Sequence, residues 1–311
     1  MKIIILGGSG YIGSVLIKNL LANKHKIKII DTFWFGKNFE NHKNLKIIKK
    51  DIRNLKKNDF IGYDTIIHLA NIANDPSVEL NPQLSWDVNV LGSIKICELA
   101  KATKIKKIIF SSSGSVYGIS NKKNVTEETE LHPLSVYNKT KMTAERIFLS
   151  YSDDIKIIII RPATVCGNSK RLRLDVSVNM LTYQAWKNKI ITVMGGNQIR
   201  PNIHINDLCR IFSFFLNRNM SGIYNAGFEN LSILNIAQKI KKKTGCRIKI
   251  IKSNDPRSYR LNSNKIIRAG YKKILNVNYA IDELLLFFNK TNFKASNINY
   301  NINHSKKLKL K

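Results

Sequence analysis

Residues 2–31 read KIIILGGSGYIGSVLIKNLLANKHKIKIID. Lys2 to Leu6 is a short apolar run closed by glycine, the pattern of a buried strand. Tyr11 to Ala22 carries apolar residues at helical spacing: Val15, Ile17, Leu20 and Leu21. Lys26 to Ile30 is a second strand, ending at Asp31. Between the first strand and the helix stand Gly7, Gly10 and Gly13, three apart. A glycine triplet alone only punctuates a turn. Here it follows a strand, opens a helix and precedes an acid at the next strand end, which together point to a dinucleotide site. Gly7 allows the tight turn, Gly10 lets backbone approach a pyrophosphate, and Gly13 lets the helix pack closely on the sheet. The helix N-terminus favours the phosphates. Asp31 can accept from the adenosine ribose hydroxyls, and its charge would repel a 2′-phosphate. The expected cofactor is therefore NAD.

The alternation continues outward. Strands are expected at Leu45 to Lys49, Thr65 to His68, Lys107 to Phe110 and Ile155 to Ile160, with helices at about 84 to 103 and 136 to 150. Such alternation predicts an α/β fold: a doubly wound parallel sheet with right-handed crossovers. After Arg161-Pro162 short helices (about 174 to 187 and 232 to 244) mix with short strands (190 to 193 and 247 to 251). The division expected is a Rossmann domain over 1–164 and a smaller mixed substrate lobe over 165–288, some of whose segments return to the first domain. The polar, basic tail 289–311 is expected to be mostly disordered.

Composition narrows the classes. No apolar run is long enough to span a membrane, and the start is neither a signal peptide nor an anchor. Cys97, Cys166, Cys209 and Cys246 lie far apart with no CxxC pair, so no metal site is expected and a reduced, cytoplasmic setting fits. The formal net charge is +31, yet only 12 of the 52 basic residues are Arg, and they are scattered along the chain. That distribution reads as solvated lysine-rich faces rather than a nucleic-acid surface, and its field would attract an anionic substrate.

Further residues face the expected cofactor. Tyr11 and Ile12 lie within the glycine turn. Asp51 and Ile52 follow a strand and suit the adenine edge. In IIHLAN, Ile66 to Asn71, Leu69 and small Ala70 suit a ligand crevice, and His68 reads as structural. The catalytic pieces come next. IIFSSSGSVYG, Ile108 to Gly118, ends a strand in hydroxyl residues at the carboxyl edge of the sheet, where doubly wound folds bind ligands. In SVYNKTKMTAE, Tyr137 and Lys141 are four apart and share one helix face. A lysine ammonium and a positive nicotinamide ring would both favour the phenolate, bringing a tyrosine toward a useful general base. A nearby serine hydroxyl would hold the substrate oxygen.

These motifs, in this order, resemble the NAD-dependent epimerase/dehydratase family of extended short-chain dehydrogenases/reductases, which modify nucleotide sugars. The resemblance covers roughly residues 1 to 288. It implies Ser113, three positions before Val-Tyr-Gly, on the reacting sugar hydroxyl. It implies Tyr137 as the base, and Lys141 on the nicotinamide ribose and tuning Tyr137. RPATVCGNSKRLRLDVSVNMLTYQA, GGNQIRPNIHINDLCR and NDPRSYRLNSNK resemble blocks of surface-polysaccharide enzymes, including a subgroup acting on GDP-heptoses. By position, that likeness implies Asn179, Arg200 and Arg257 on the nucleotide diphosphate. For Arg171 and Arg173 a phosphate role and plain exposure stay equally open; His204 and Asp207 read as structural. A homodimer through the helices at 84 to 103 and 136 to 150 is also implied.

The family divides by the residues just after Ser113. Its 4,6-dehydratases carry an Asp-Glu pair there, and its 3,5-epimerases use a nearby Cys. Gly114 and Ser115 stand in those places. Chemistry at C4 remains: 4-epimerisation through a 4-keto sugar, with net 4-oxidation or reduction as the alternative. A catalytically silent dinucleotide-binding protein is the reading from another class.

Overall fold

A computed structural model describes residues 1–120, 122, 124–253 and 258–308. Its main sheet is built from β1 (Lys2–Leu6), β2 (Lys26–Asp31), β3 (Leu45–Lys49), β4 (Thr65–His68), β5 (Lys107–Ser111) and β6 (Lys156–Pro162). The chain leaves this sheet through β7 (Thr164–Cys166), β8 (Ile190–Met194) and β9 (Ile199–His204). It returns once as β10 (Gly222–Ala226), then forms β11 (Glu229–Ser232) and β12 (Arg247–Ile251). The seven-stranded sheet has the order β10-β6-β5-β4-β1-β2-β3, and every pairing in it is parallel. The isoleucine runs IIIL and IIII are buried on both faces, as a parallel sheet covered by helices requires.

The first helices are α1 (Tyr11–Ala22), α2 (Asp75–Val78), α3 (Pro82–Trp86), α4 (Gly92–Ala102) and α5 (Val136–Leu149). The later ones are α6 (Ser177–Asn188), α7 (Ile205–Leu216), α8 (Ile233–Thr244), α9 (Asn264–Arg268), α10 (Val277–Thr291) and α11 (Asn301–Lys307). The helix expected over 84 to 103 is interrupted by a π turn at Asp87–Leu91. There the Asn89 side chain accepts from Ile72 N (2.9 Å) and donates to Thr140 Oγ1 (3.1 Å), tying the helix to the segment leaving β4. Beyond β6, β9 lies between β11 and β7 in one small sheet, while β8 pairs with β12. Helices α6, α8 and α10 close a separate core over them.

The tail differs from the expected disorder. Residues 297–299 form a 3₁₀ turn and 301–307 form α11. Phe293 and Tyr300 pack on the cluster of Leu172, Leu174, Leu284 and Phe288. Asn299 Nδ2 donates to Leu172 O (3.0 Å), and Asn299 O accepts from Leu174 N (2.8 Å). The polar composition hid this because the segment binds through backbone groups and a few apolar anchors rather than through a periodic face.

Candidate active site

One cleft runs along the carboxyl ends of β1, β2, β4 and β5 and is closed from the other side by the segment after β7 and by Arg200 of β9. Its floor is the glycine turn. Gly7 has φ of +81°, and a Cβ there would lie 2.4 Å from Ala70 N. A Cβ on Gly13 would lie 2.4 Å from Gly8 O. Both positions therefore demand glycine. Gly10 caps α1 with no side chain, so the first-turn N–H groups of a twelve-residue helix open on the cleft. Asp31 accepts from Ser9 N (2.8 Å) and Phe33 N (2.7 Å). Its partial burial raises its pKa from the ordinary value, against the pull of those bonds. A narrow glycine cradle, an uncapped helix start and an acid at the β2 end fit a dinucleotide.

The structure brings Gly7, Gly10, Tyr11, Ile12, Gly13, Asp31, Asp51, Ile52, Leu69 and Ala70 to this cleft. Asp51 forms a two-point ion pair with Arg53, at 3.1 and 2.8 Å, which outweighs burial and keeps its pKa low. Ser113, Tyr137, Lys141 and Arg200 line the same cleft.

Ser113 Oγ and Ser115 Oγ are 2.7 Å apart, and Ser115 Oγ donates to Asn138 Oδ1 at 2.6 Å. This chain pins the Ser113 hydroxyl at the start of the 3₁₀ turn Gly114–Tyr117. The Tyr137 phenol is pushed up to about 12 by burial; the Arg173 charge and a hydrogen bond with Ser113 pull the other way. Lys141 is buried, donates to Ser111 O (2.7 Å) and lies 4.7 Å over the Phe110 ring. Burial brings it down to about 7, opposed by the Glu145 charge. A cation that favours the Tyr137 phenolate is thus Arg173, from the far wall. Beneath them Glu145 pairs with Arg161 (2.7 Å) and accepts from Ser112 Oγ (2.5 Å), a buried support for the β5 end.

Asn179 is placed differently from its expected nucleotide contact. It is fully buried and absent from the cleft wall. Its Oδ1 accepts from Gly167 N (3.0 Å), and its Nδ2 donates to Arg173 O (2.9 Å) and Tyr11 Oη (3.1 Å). Those bonds engage both ends of the amide in holding the loop after β7 against the glycine turn. Arg257 lies outside the described residues. Arg171 and Arg173, left open by the sequence, both line the cleft. Arg173 Nε donates to Asp175 Oδ1 at 2.8 Å. Asp175 and Asn301 were not anticipated; in RLRLD the alternation of Arg171, Arg173 and Asp175 was the available signal. His204 and Asp207 are structural: His204 caps α7 and meets Glu283, and Asp207 binds Tyr271 Oη and the amides of Ile274 and Leu275.

A parallel doubly wound sheet with a glycine cradle and a Ser-Tyr-Lys set at its carboxyl edge defines a short-chain dehydrogenase/reductase. The model of the NAD dependent epimerase/dehydratase family matches residues 3–227, and the chain belongs to that family, with NAD as its cofactor. The chain is 28% identical over 303 residues to the putative UDP-glucose 4-epimerase of Methanocaldococcus jannaschii, covering 93% of this chain and 99% of that one. It is 26% identical over 308 residues to UDP-glucuronic acid decarboxylase 1 of Danio rerio, covering 93% and 73%. The structure of UDP-glucuronic acid 4-epimerase from Bacillus cereus, in complex with UDP-glucuronic acid and NAD, superposes with a TM-score of 0.84 at 26% identity, covering 94% of this chain and all of that one. Among the described residues, no helix is long and apolar enough to cross a membrane.

Proposed function

We propose that this enzyme is a nucleotide-sugar C4 epimerase. The observation that carries this reading is the Ser113–Ser115–Asn138 chain beside Tyr137, with Gly114 and Ser115 where elimination chemistry needs an acid and a base. The carboxylates elsewhere in the cleft support it, since they are engaged by protein partners. Asp31 holds backbone amides, Asp51 pairs with Arg53, Asp75 accepts from Ser135 Oγ, and Asp175 pairs with Arg173. The relatives' names, which include UDP-sugar 4-epimerases, support C4 and make UDP-hexoses and UDP-hexuronic acids the first substrates to test.

NAD, when bound, supplies a reversible hydride acceptor for C4. The chain's own residues manage the oxygen and its proton. When the sugar binds, Ser113 Oγ turns its one proton from Ser115 Oγ to the C4 oxygen and fixes its position, while Ser115 N still donates to Ser113 Oγ. Tyr137 takes the hydroxyl proton and returns it to the 4-keto oxygen once the ring has presented its other face. Arg173 stabilises the phenolate that stands before the first transfer and after the second. Arg200 and Arg257 hold the diphosphate of the substrate, guanidinium being suited to two-point phosphate contacts.

Four free, buried cysteines support a reducing, cytoplasmic setting. A homodimer through α4 and α5 completes the reading. Its support is Leu91, 56% exposed at the start of α4, with half-buried Ile94, Leu99 and Ile147 nearby.

The test is a panel of nucleotide sugars with product read by NMR, beside Tyr137→Phe. Interconversion of C4 epimers with no added cofactor and no net change at the NADH band is expected. Tyr137→Phe should lower kcat by about 10²–10⁴-fold. Stoichiometric NADH formation would select the net dehydrogenase instead. Full turnover by Tyr137→Phe would remove the phenol from the mechanism.

A further inference from the structure

Arg171 is only 4% exposed, on the segment between β7 and α6. Its guanidinium lies 4.0 Å over the Phe35 ring. Nη2 donates to Asn301 Oδ1, while Nε and Nη1 are buried with no partner. A second cation, Arg173, stands close by, and burial together with that neighbour works against the charge on Arg171. A desolvated guanidinium with unpaired donors on a cleft wall is costly until an anion meets it.

Its place in the cleft says which anion. Phe35 belongs to the loop after Asp31, on the cofactor side. Tyr11, in the first turn of α1, is near enough to interact with the Arg171 charge. Arg171 and the uncapped start of α1, where a dinucleotide pyrophosphate would sit, line the same cleft. We infer that Arg171 is a phosphate clamp for the dinucleotide, supplied by the substrate lobe, and that α11 is the latch that holds the clamp shut.

The contacts of α11 fit a latch. Asn301 N donates to Asp175 Oδ2 (3.0 Å), and Asn301 Nδ2 donates to Ala73 O (3.2 Å). His304 Nε2 lies 2.6 Å from Trp34 O, and its ring centroid is 4.9 Å from that of Phe35. One short helix thus ties the loop after β2, the loop after β4 and the RLRLD segment together. Release of the cofactor requires parting these walls, so the clasp lengthens residence. The clamp rests on the cofactor site alone, and its failure would leave the reading of the C4 reaction untouched.

The diphosphate of a nucleotide sugar offers the same chemistry, so the test carries both ligands. Affinities of NAD and of UDP are measured by calorimetry, and NAD release by stopped flow, for the full chain and for Arg171→Gln, Asn301→Ala and His304→Ala. Arg171→Gln should weaken NAD by about tenfold or more, the effect of losing charge-assisted hydrogen bonds, and leave UDP within about twofold. Asn301→Ala and His304→Ala should speed NAD release. Unchanged NAD affinity in Arg171→Gln, or a loss that falls on UDP instead, overturns the clamp. Should Arg171→Gln fail to fold, as its thermal melt would show, His304→Ala decides: an unchanged release rate overturns the latch and the clamp with it.

Discussion

His68 shows how one side chain sets a property of the whole. It ends β4, is 1% exposed, and stacks on Phe110 with centroids 5.4 Å apart. Neither ring nitrogen has a partner. Burial, aided by the Lys141 charge, pushes it down to about 3. In the unfolded chain a histidine titrates near 6.5, so between these values only the unfolded chain binds the proton. Stability is therefore present above about pH 6.5 and is lost as pH falls toward about 3. His68→Phe should flatten the dependence of unfolding free energy on pH between about pH 6 and about pH 4 by up to one proton. Denaturant titrations at several pH values measure the slope; an unchanged slope would mean the folded ring is protonated. The burial of His68 was legible because it stands alone among apolar neighbours in sequence. The role of Arg173 was not legible, because its effect on Tyr137 depends on two chain segments meeting across the cleft.

At the scale of elements, the π turn at Asp87–Leu91 has a cause that can be tested. Asn89 is 1% exposed and meets both backbone groups of Ile72, at 2.9 Å to N and 3.3 Å to O. It therefore braces the loop that carries Leu69 and Ala70 into the cofactor crevice. Asn89→Ala would leave the Ile72 amide buried without its acceptor, a loss of about 1–3 kcal/mol in unfolding free energy by denaturant titration. A change under about 0.5 kcal/mol, the size of an ordinary surface substitution, would show that the brace is dispensable. Periodicity located most elements closely: α1 spans Tyr11–Ala22 and β12 spans Arg247–Ile251, as their patterns require. It did not show the π turn, because an inserted residue shifts the helical face without changing its composition. It did not show α11 either, since that helix is held by Ala73, Asp175 and Trp34 from distant segments.

For the whole molecule, the proposed dimer makes a direct prediction. Light scattering of the purified chain should give twice 35.5 kDa, and Leu91→Glu should give the single mass by placing a charge in the apolar contact. A wild-type monomer, or a Leu91→Glu dimer, would exclude this face. The basic residues behind the charge of +31 are scattered along the whole chain. Among the described residues, five cations line the cleft: Lys50 on Asp59, Lys141 on Ser111 O, Arg171 over Phe35, Arg173 on Asp175, and Arg200.

The sequence by itself determined the parallel sheet, the glycine turn with Asp31 after it, and the shared helix face of Tyr137 and Lys141. All three are local: a strand followed by glycines, an acid one strand later, and two residues one helical turn apart. Tertiary structure alone decided the far wall. It turned Asn179 inward to brace Tyr11 and Gly167, brought Arg173 to Tyr137, and folded the tail over the cleft. These outcomes depend on burial and on contacts between segments more than a hundred residues apart, such as Asn179 with Tyr11 and Asn301 with Arg171. No local spacing carries such contacts, because they exist only once the substrate lobe closes on the sheet.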